Sequence, residues 1–176
     1  EIEFNNEYKI ELKNNDKPVI AILPGSREQE IDKILPEFLK ITKYFPDYHF
    51  VIAGISHLGK DYYSKFNIKP EIEIVFGKTY HLLNNSFASL VASGTATLEA
   101  ALFNSPMIVA YKGSWISYQI GKRLVKNIKY ISLVNLIMNK EILKELIQDQ
   151  LNEENLRIEL KNILTLSSQY TIRQEF

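Results

Sequence analysis

Short apolar runs alternate with helix-patterned stretches along this chain, and that alternation restricts the fold more than any other feature. The runs are "PVIAIL" (Pro18–Leu23), "YHFVIAG" (Tyr48–Gly54), "IEIVFG" (Ile72–Gly77), "FASLVAS" (Phe87–Ser93), "PMIVAYK" (Pro106–Lys112) and "KYISL" (Lys129–Leu133). The first is apolar throughout, as in a strand covered on both faces. Between the runs lie helical patterns. Ile31, Ile34, Leu35, Phe38 and Leu39 fall on one face, with Pro36 predicting a kink or a restart. Further helices are predicted over Leu58–Phe66, Tyr80–Asn85, Thr95–Asn104, Ser114–Lys126, Lys140–Gln148 and Glu153–Leu164, and the last dozen residues read as a continuation or a tail. Strands joined through helices by short connections predict α/β: an open parallel sheet with helices on both faces, a Rossmann-like domain. The expected organisation is a linker-like polar leader over 1–17, the sheet domain over 18–134, and C-terminal helices over 135–176.

A sheet of this kind binds ligands beyond the carboxyl ends of its strands. Two loops there carry chemistry. In "LPGSREQE", Gly25 permits a tight turn or close approach of backbone to ligand. Ser26 is placed to cap the next helix, with Gln29 three residues on. Free amides at a helix start attract an anion, and Arg27 adds a planar donor fork suited to phosphate. A plain capped helix with a surface arginine accounts for this loop equally well when it is taken alone.

In "VASGTATLEAAL", Ser93, Gly94 and Thr95 begin a helix, and Gly94 removes the side chain that would keep a phosphate at a distance. Glu99 lies four residues past Thr95, on about the same face. A carboxylate there suits two ribose hydroxyls and does not suit phosphate. Together the loops fit a nucleoside diphosphate: amides and Arg27 for the phosphates, Glu99 for the sugar. Neither a G-x-G-x-x-G fingerprint nor a P-loop occurs.

Other function classes find less support. Lys+Arg and Asp+Glu balance at 21 each, so no basic excess argues for nucleic acid. Without cysteine there is no disulfide or thiolate metal site, and His49, His57 and His81 lack metal-ligand spacing, so no metal site is expected. No apolar run approaches the roughly 20 residues of a membrane span. Lys122, Lys126 and Lys129 share one face of the predicted Ser114–Lys126 helix region, which suits either solvent or an anionic surface.

The ordered set "LPGSREQEI", "SGTATLEAAL", "PMIVAYK", "YISLVNLI" and "KELIQ" resembles the lipid-A-disaccharide synthases, GT-B-type glycosyltransferases. The resemblance runs from Val19 to Leu164 and concerns the C-terminal, UDP-binding half of such enzymes. It implies transfer of 2,3-diacylglucosamine from its UDP conjugate to 2,3-diacylglucosamine 1-phosphate, giving lipid A disaccharide 1-phosphate and UDP. It also implies a bacterial, cytoplasmic enzyme, peripheral to the inner membrane and independent of metal or other cofactor. By matching motif, Gly25, Ser26 and Arg27 would flank the diphosphate, with Arg27 stabilising the leaving group. Ser93, Gly94, Thr95 and Thr97 would line the second phosphate-facing helix start, and Glu99 would hold the ribose. Uracil would meet backbone near Phe76, Gly77 and Thr79. Asn135 and Gln148 match motif positions without a defined role, and Val134 stands where many members carry proline. The acceptor-side N-terminal half and the general base are expected outside this segment.

Alternatives within the class are a peptidoglycan glycosyltransferase or a UDP-N-acetylglucosamine epimerase. Outside it, a non-catalytic nucleotide-binding or assembly domain fits the same loops. The C-terminal helices are expected to leave apolar faces (Ile142, Leu143, Leu146, Ile147; Leu156, Leu160, Ile163, Leu164) exposed, inviting a homodimer.

Overall fold

The computed structural model describes residues 10–12, 16–113 and 129–176. The strands are β1 Val19–Leu23, β2 His49–Gly54, β3 Glu73–Phe76, β4 Ser86–Ala92, β5 Met107–Tyr111 and β6 Lys144–Ile147. The helices are α1 Glu28–Ile41, α2 Gly59–Ser64, α3 Thr79–Asn84, α4 Ala96–Leu102, α5 Leu133–Met138, α6 Glu153–Ile163 and α7 Leu166–Glu175. The strands form one sheet in the order β3-β2-β1-β4-β5-β6, with every pairing parallel. The order reverses between β1 and β4, so their carboxyl ends flank the crevice that such sheets leave open.

Alternation along β1 explains the three layers. Ile20 and Ile22 enter one apolar cluster with Ile31, Leu35 and Phe38 of α1 and Leu156 and Leu160 of α6. Val19, Ala21 and Leu23 enter the opposite cluster with Leu82 and Leu83 of α3 and Ala100 of α4. Each buried Leu, Ile or Phe contributes about 1.5–3 kcal/mol, so a strand apolar on both faces stabilises both layers at once. The polar leader is less detached than expected, because Leu12 is buried in the second cluster.

Pro36 does not restart α1, which is one continuous helix. Beside it Glu37 receives Lys112 at 2.7 Å and Lys40 at 2.8 Å, tying the end of β5 to α1. Burial opposes charge on Glu37, but the hydrogen bonds from Lys112 and Lys40 outweigh it and hold its carboxyl below the usual range. A depressed carboxyl stabilises the fold above its unfolded pKa, and that contribution is lost as pH falls through the folded value. Both lysines are partly exposed, which limits the effect. Glu37→Gln is therefore expected to cost about 1 kcal/mol at pH 7, with the difference from wild type vanishing well below pH ~4, measured by urea unfolding across pH.

The region after β5 departs from expectation. "KYISL" is not a strand: Ile131 and Ser132 form a bend, and Ser132 caps α5, its Oγ accepting from the Asn135 amide. The sixth strand is instead Lys144–Ile147, inside the stretch expected to be helical. Glu145 makes this workable. Its buried carboxylate accepts from the amides of Ile131 (2.8 Å) and Ser132 (2.9 Å) and from Asn135 Nδ2 (2.9 Å). A charge that would forbid a buried strand is thereby satisfied.

β6 joins the sheet, and the helices after it pack on it. Of the apolar residues expected to be exposed there, Leu143, Leu146, Leu156, Leu160 and Ile163 are buried and Ile142, Ile147 and Leu164 half-buried, so these faces are largely covered within the chain itself. The predicted Ser114–Lys126 helix lies outside the described residues.

Candidate functional site

A cavity of about 440 Å³ opens where β1 and β4 end, between Leu23 and Ala92. From the β1 side Gly25, Ser26 and Arg27 line it; from the β4 side Ser93, Gly94, Thr95 and Glu99 do. The two loops singled out from sequence therefore share one crevice, at the point of strand-order reversal. A larger hollow of about 570 Å³, touching Leu98, Leu102, Ile137 and Phe176, contains none of the expected residues.

The loop after β1 is built differently from expectation. Arg27, not Ser26, is the helix N-cap, and no side chain bonds the cap position. Gln29 plays no capping part. Glu30 turns back instead, and its Oε2 accepts from the Ser26 amide at 3.2 Å. Gly25 makes this geometry possible: its φ is +121°, and a Cβ there would lie 2.7 Å from Glu30 Oε2. The Arg27 side chain is 82% exposed, with Nη1 4.0 Å from Glu30 Oε1. Sequence reasoning misses Glu30 because serine is the more usual cap and draws the helix start one residue early. With Arg27 as N-cap, an acid at the third helical position is the capping signal.

On the β4 side, Gly94 has φ +154°, and a Cβ added there would meet nothing within 4 Å, so the helix start faces open space. The Ser93 hydroxyl donates to the Ile131 carbonyl at 3.2 Å, fixing this loop against the segment before α5. Thr97 is fully buried, and its hydroxyl donates to the Gly94 carbonyl at 2.8 Å. It anchors the turn from behind and does not line the cavity. Glu99 is half-buried at the cavity wall, and its carboxylate has no hydrogen bond or ion pair among the described residues. A half-buried carboxylate facing a cavity, with no partner among the described residues, is a place for a hydrogen-bond donor to dock, and that makes it the sharpest ligand signal here.

Four other expected residues lie elsewhere. Phe76 packs edge-on against Tyr63, centroids 5.9 Å apart, in the α1/α2 layer, and Gly77 is absent from the cavity wall, whereas Thr79 reaches it. Asn135 is buried in α5, with its amide wholly engaged inside the fold. Gln148 follows β6 at the carboxyl edge with φ +53°, its Nε2 buried without a hydrogen-bond partner among the described residues, but it does not line the cavity.

A parallel sheet in this order, with a polar crevice at its switch point, defines a Rossmann-like α/β domain. Solved glycosyltransferases share the fold. The calicheamicin glycosyltransferase CalG4 aligns with TM-score 0.62 at 16% identity, covering 95% of this chain and 39% of CalG4. The glycosyltransferase VinC, solved with dTDP, gives 0.59 at 14%, covering 91% and 37%. WaaG, a glycosyltransferase of lipopolysaccharide biosynthesis, gives 0.56 at 12%, covering 92% and 43%. The family described as lipid-A-disaccharide synthetase matches residues 2–175. The lipid-A-disaccharide synthase of Francisella tularensis subsp. novicida (strain U112) is 38% identical over 162 residues, covering 88% of this chain and 43% of the relative. The same values hold for the synthase of subsp. tularensis strain SCHU S4. This chain belongs to the lipid-A-disaccharide synthase family. It spans less than half the length of those curated relatives.

Proposed function

We propose that this chain is the donor-binding part of a lipid-A-disaccharide synthase and holds the UDP portion of UDP-2,3-diacylglucosamine in the crevice between β1 and β4. The observation that carries the reading is that one cavity brings the Ser26–Arg27 loop opposite the carboxylate of Glu99, which has no hydrogen bond or ion pair among the described residues. In this reading Gly25, Ser26 and Arg27 face the diphosphate together with Ser93, Gly94 and Thr95. Glu99 accepts hydrogen bonds from the ribose hydroxyls, and uracil lies toward Thr79.

The chemistry follows from where charge develops. The 6-hydroxyl of 2,3-diacylglucosamine 1-phosphate attacks the anomeric carbon of the donor. The new carbon–oxygen bond forms as the bond to the β-phosphate oxygen breaks, and UDP departs with the electron pair. Arg27 and the loop amides meet the growing negative charge. The hydroxyl proton passes to a base outside this segment, in the remainder of the full-length enzyme, which also seats the acceptor. The enzyme works on the cytoplasmic side of the inner membrane as a peripheral protein. Among the described residues no helix is long and apolar enough to cross a membrane.

The test separates binding from transfer. Calorimetry should show UDP binding by the chain alone, weakened about tenfold in Arg27→Ala through loss of a charged hydrogen-bond donor. Incubation with both sugar substrates should give no disaccharide. Transfer at the rate of a full-length relative would place base and acceptor site within this chain and contradict the division.

A further inference from the structure

The same cavity already contains an anion. Glu30 lines it, and its carboxylate bonds one and sits beside the other of two groups that the proposed reading gives to phosphate. Its Oε2 accepts from the Ser26 amide at 3.2 Å, and its Oε1 lies 4.0 Å from Arg27 Nη1. It also fills the space freed by the missing side chain of Gly25, since a Cβ there would meet Oε2 at 2.7 Å. A carboxylate on a backbone amide and beside a guanidinium is the chemical counterpart of a phosphate oxygen in the same place. Among the described residues, the lining carries one cation, Arg27, against two carboxylates, Glu30 and Glu99. With Glu30 in place, that balance opposes a diphosphate.

We propose that Glu30 is an internal stand-in for phosphate: it occupies the seat in the nucleotide-free chain and must be displaced for the diphosphate to enter. The inference rests on the reading of this crevice as a diphosphate site. Displacement is open to it, because the Glu30 side chain is 36% exposed and can rotate into solvent while staying in the first turn of α1, where negative charge remains favourable. The exchange weakens nucleotide binding by the interactions that Glu30 gives up. It also refills the seat as the nucleotide leaves, so the loop amide is never left without an acceptor. A pure capping role would have the opposite consequence: removing Glu30 would loosen the loop and weaken the binding of any anion.

Glu30→Gln separates the two. It keeps an acceptor within reach of the Ser26 amide and removes the charge. Affinities for UDP, inorganic pyrophosphate and uridine are measured by calorimetry on wild type, Glu30→Gln and Glu30→Asp. The aspartate, one methylene shorter, keeps the first-turn acid but cannot hold both partners. Thermal melts establish that each variant is folded. The expected result is pyrophosphate and UDP binding about tenfold tighter in Glu30→Gln, a smaller gain in Glu30→Asp, and unchanged uridine affinity. Unchanged or weaker pyrophosphate affinity in the folded variants overturns the proposal. If pyrophosphate tightens while UDP binds no better than pyrophosphate in any of the proteins, Glu30 is the stand-in but the nucleotide reading fails.

Discussion

Asn135→Ala lowers the unfolding free energy by about 3 kcal/mol or more, the largest stability effect expected from a single polar substitution in this chain. Four hydrogen bonds converge on its amide. Nδ2 donates to the Leu143 carbonyl at 2.7 Å and to Glu145 Oε1 at 2.9 Å. Oδ1 accepts from the amides of Ile142 and Leu143, both at 2.9 Å. Asn135 and Leu143 are almost fully buried, so water does not replace what alanine removes. The Leu143 carbonyl loses its Asn135 donor, and Glu145, itself buried within β6, loses one of three. The turn that leads from α5 into β6 then loses the four side-chain bonds that pin it and keeps its backbone bonds, among them Lys140 N–H to the Asn135 carbonyl at 3.2 Å. Urea denaturation reads the loss as a lower midpoint at unchanged slope. Folded Asn135→Ala should still bind UDP within about twofold of wild type. Full stability with lost UDP binding would instead make this residue a ligand contact.

Glu99→Ala weakens UDP binding by about 1–3 kcal/mol, roughly 5- to 150-fold, because hydrogen bonds to a charged acceptor disappear from a partly desolvated position. Stability moves little, since the carboxylate makes no hydrogen bond or ion pair among the described residues. That combination, a large effect on ligand with a small one on the fold, is the reverse of Asn135→Ala. Pyrophosphate affinity should not fall in Glu99→Ala, for the proposal gives this side chain to the sugar and not to the phosphates. Removing a negative charge from the cavity would, if anything, favour pyrophosphate.

Much of the sheet is legible in the sequence because its central strands are buried on both faces. Val19–Leu23 and Met107–Tyr111 have almost no polar residue to confuse the pattern, and a continuous apolar run between turn signals has few other readings. β6 is not legible in this way. "KELI" sits in a stretch whose Ile142, Leu143, Leu146 and Ile147 fall on a helical face, and Glu145 argues locally against a buried strand. What reverses that argument is three donors from Ile131, Ser132 and Asn135, ten or more residues away, which no local period records. The preceding segment shows the converse. "KYISL" has strand composition, yet Ser132 starts a helix, a cap that outweighs a short β-prone run.

The candidate site is legible at the level of loops and less so at the level of atoms. Strand–turn–helix order is enough to bring Gly25–Arg27 and Ser93–Glu99 to one edge, because every strand in a parallel sheet ends on the same side. Which side chains then face the crevice depends on helix phase. Thr97 turns inward to the Gly94 carbonyl, and Glu30 turns back to the Ser26 amide. A shift of the cap by one residue, from Ser26 to Arg27, is enough to exchange Gln29 for Glu30 at the loop.

The most direct measurement of the central claim is a double-mutant cycle across the ribose. UDP and 2′,3′-dideoxy-UDP are titrated calorimetrically into wild type and Glu99→Ala. Wild type should prefer UDP by about tenfold or more, and Glu99→Ala should bind the two alike, with both close to the wild-type affinity for the dideoxy compound. Equal preference for UDP in both proteins would contradict the assignment of Glu99 to the ribose, and no binding of either nucleotide by wild type would contradict the crevice as the nucleotide site.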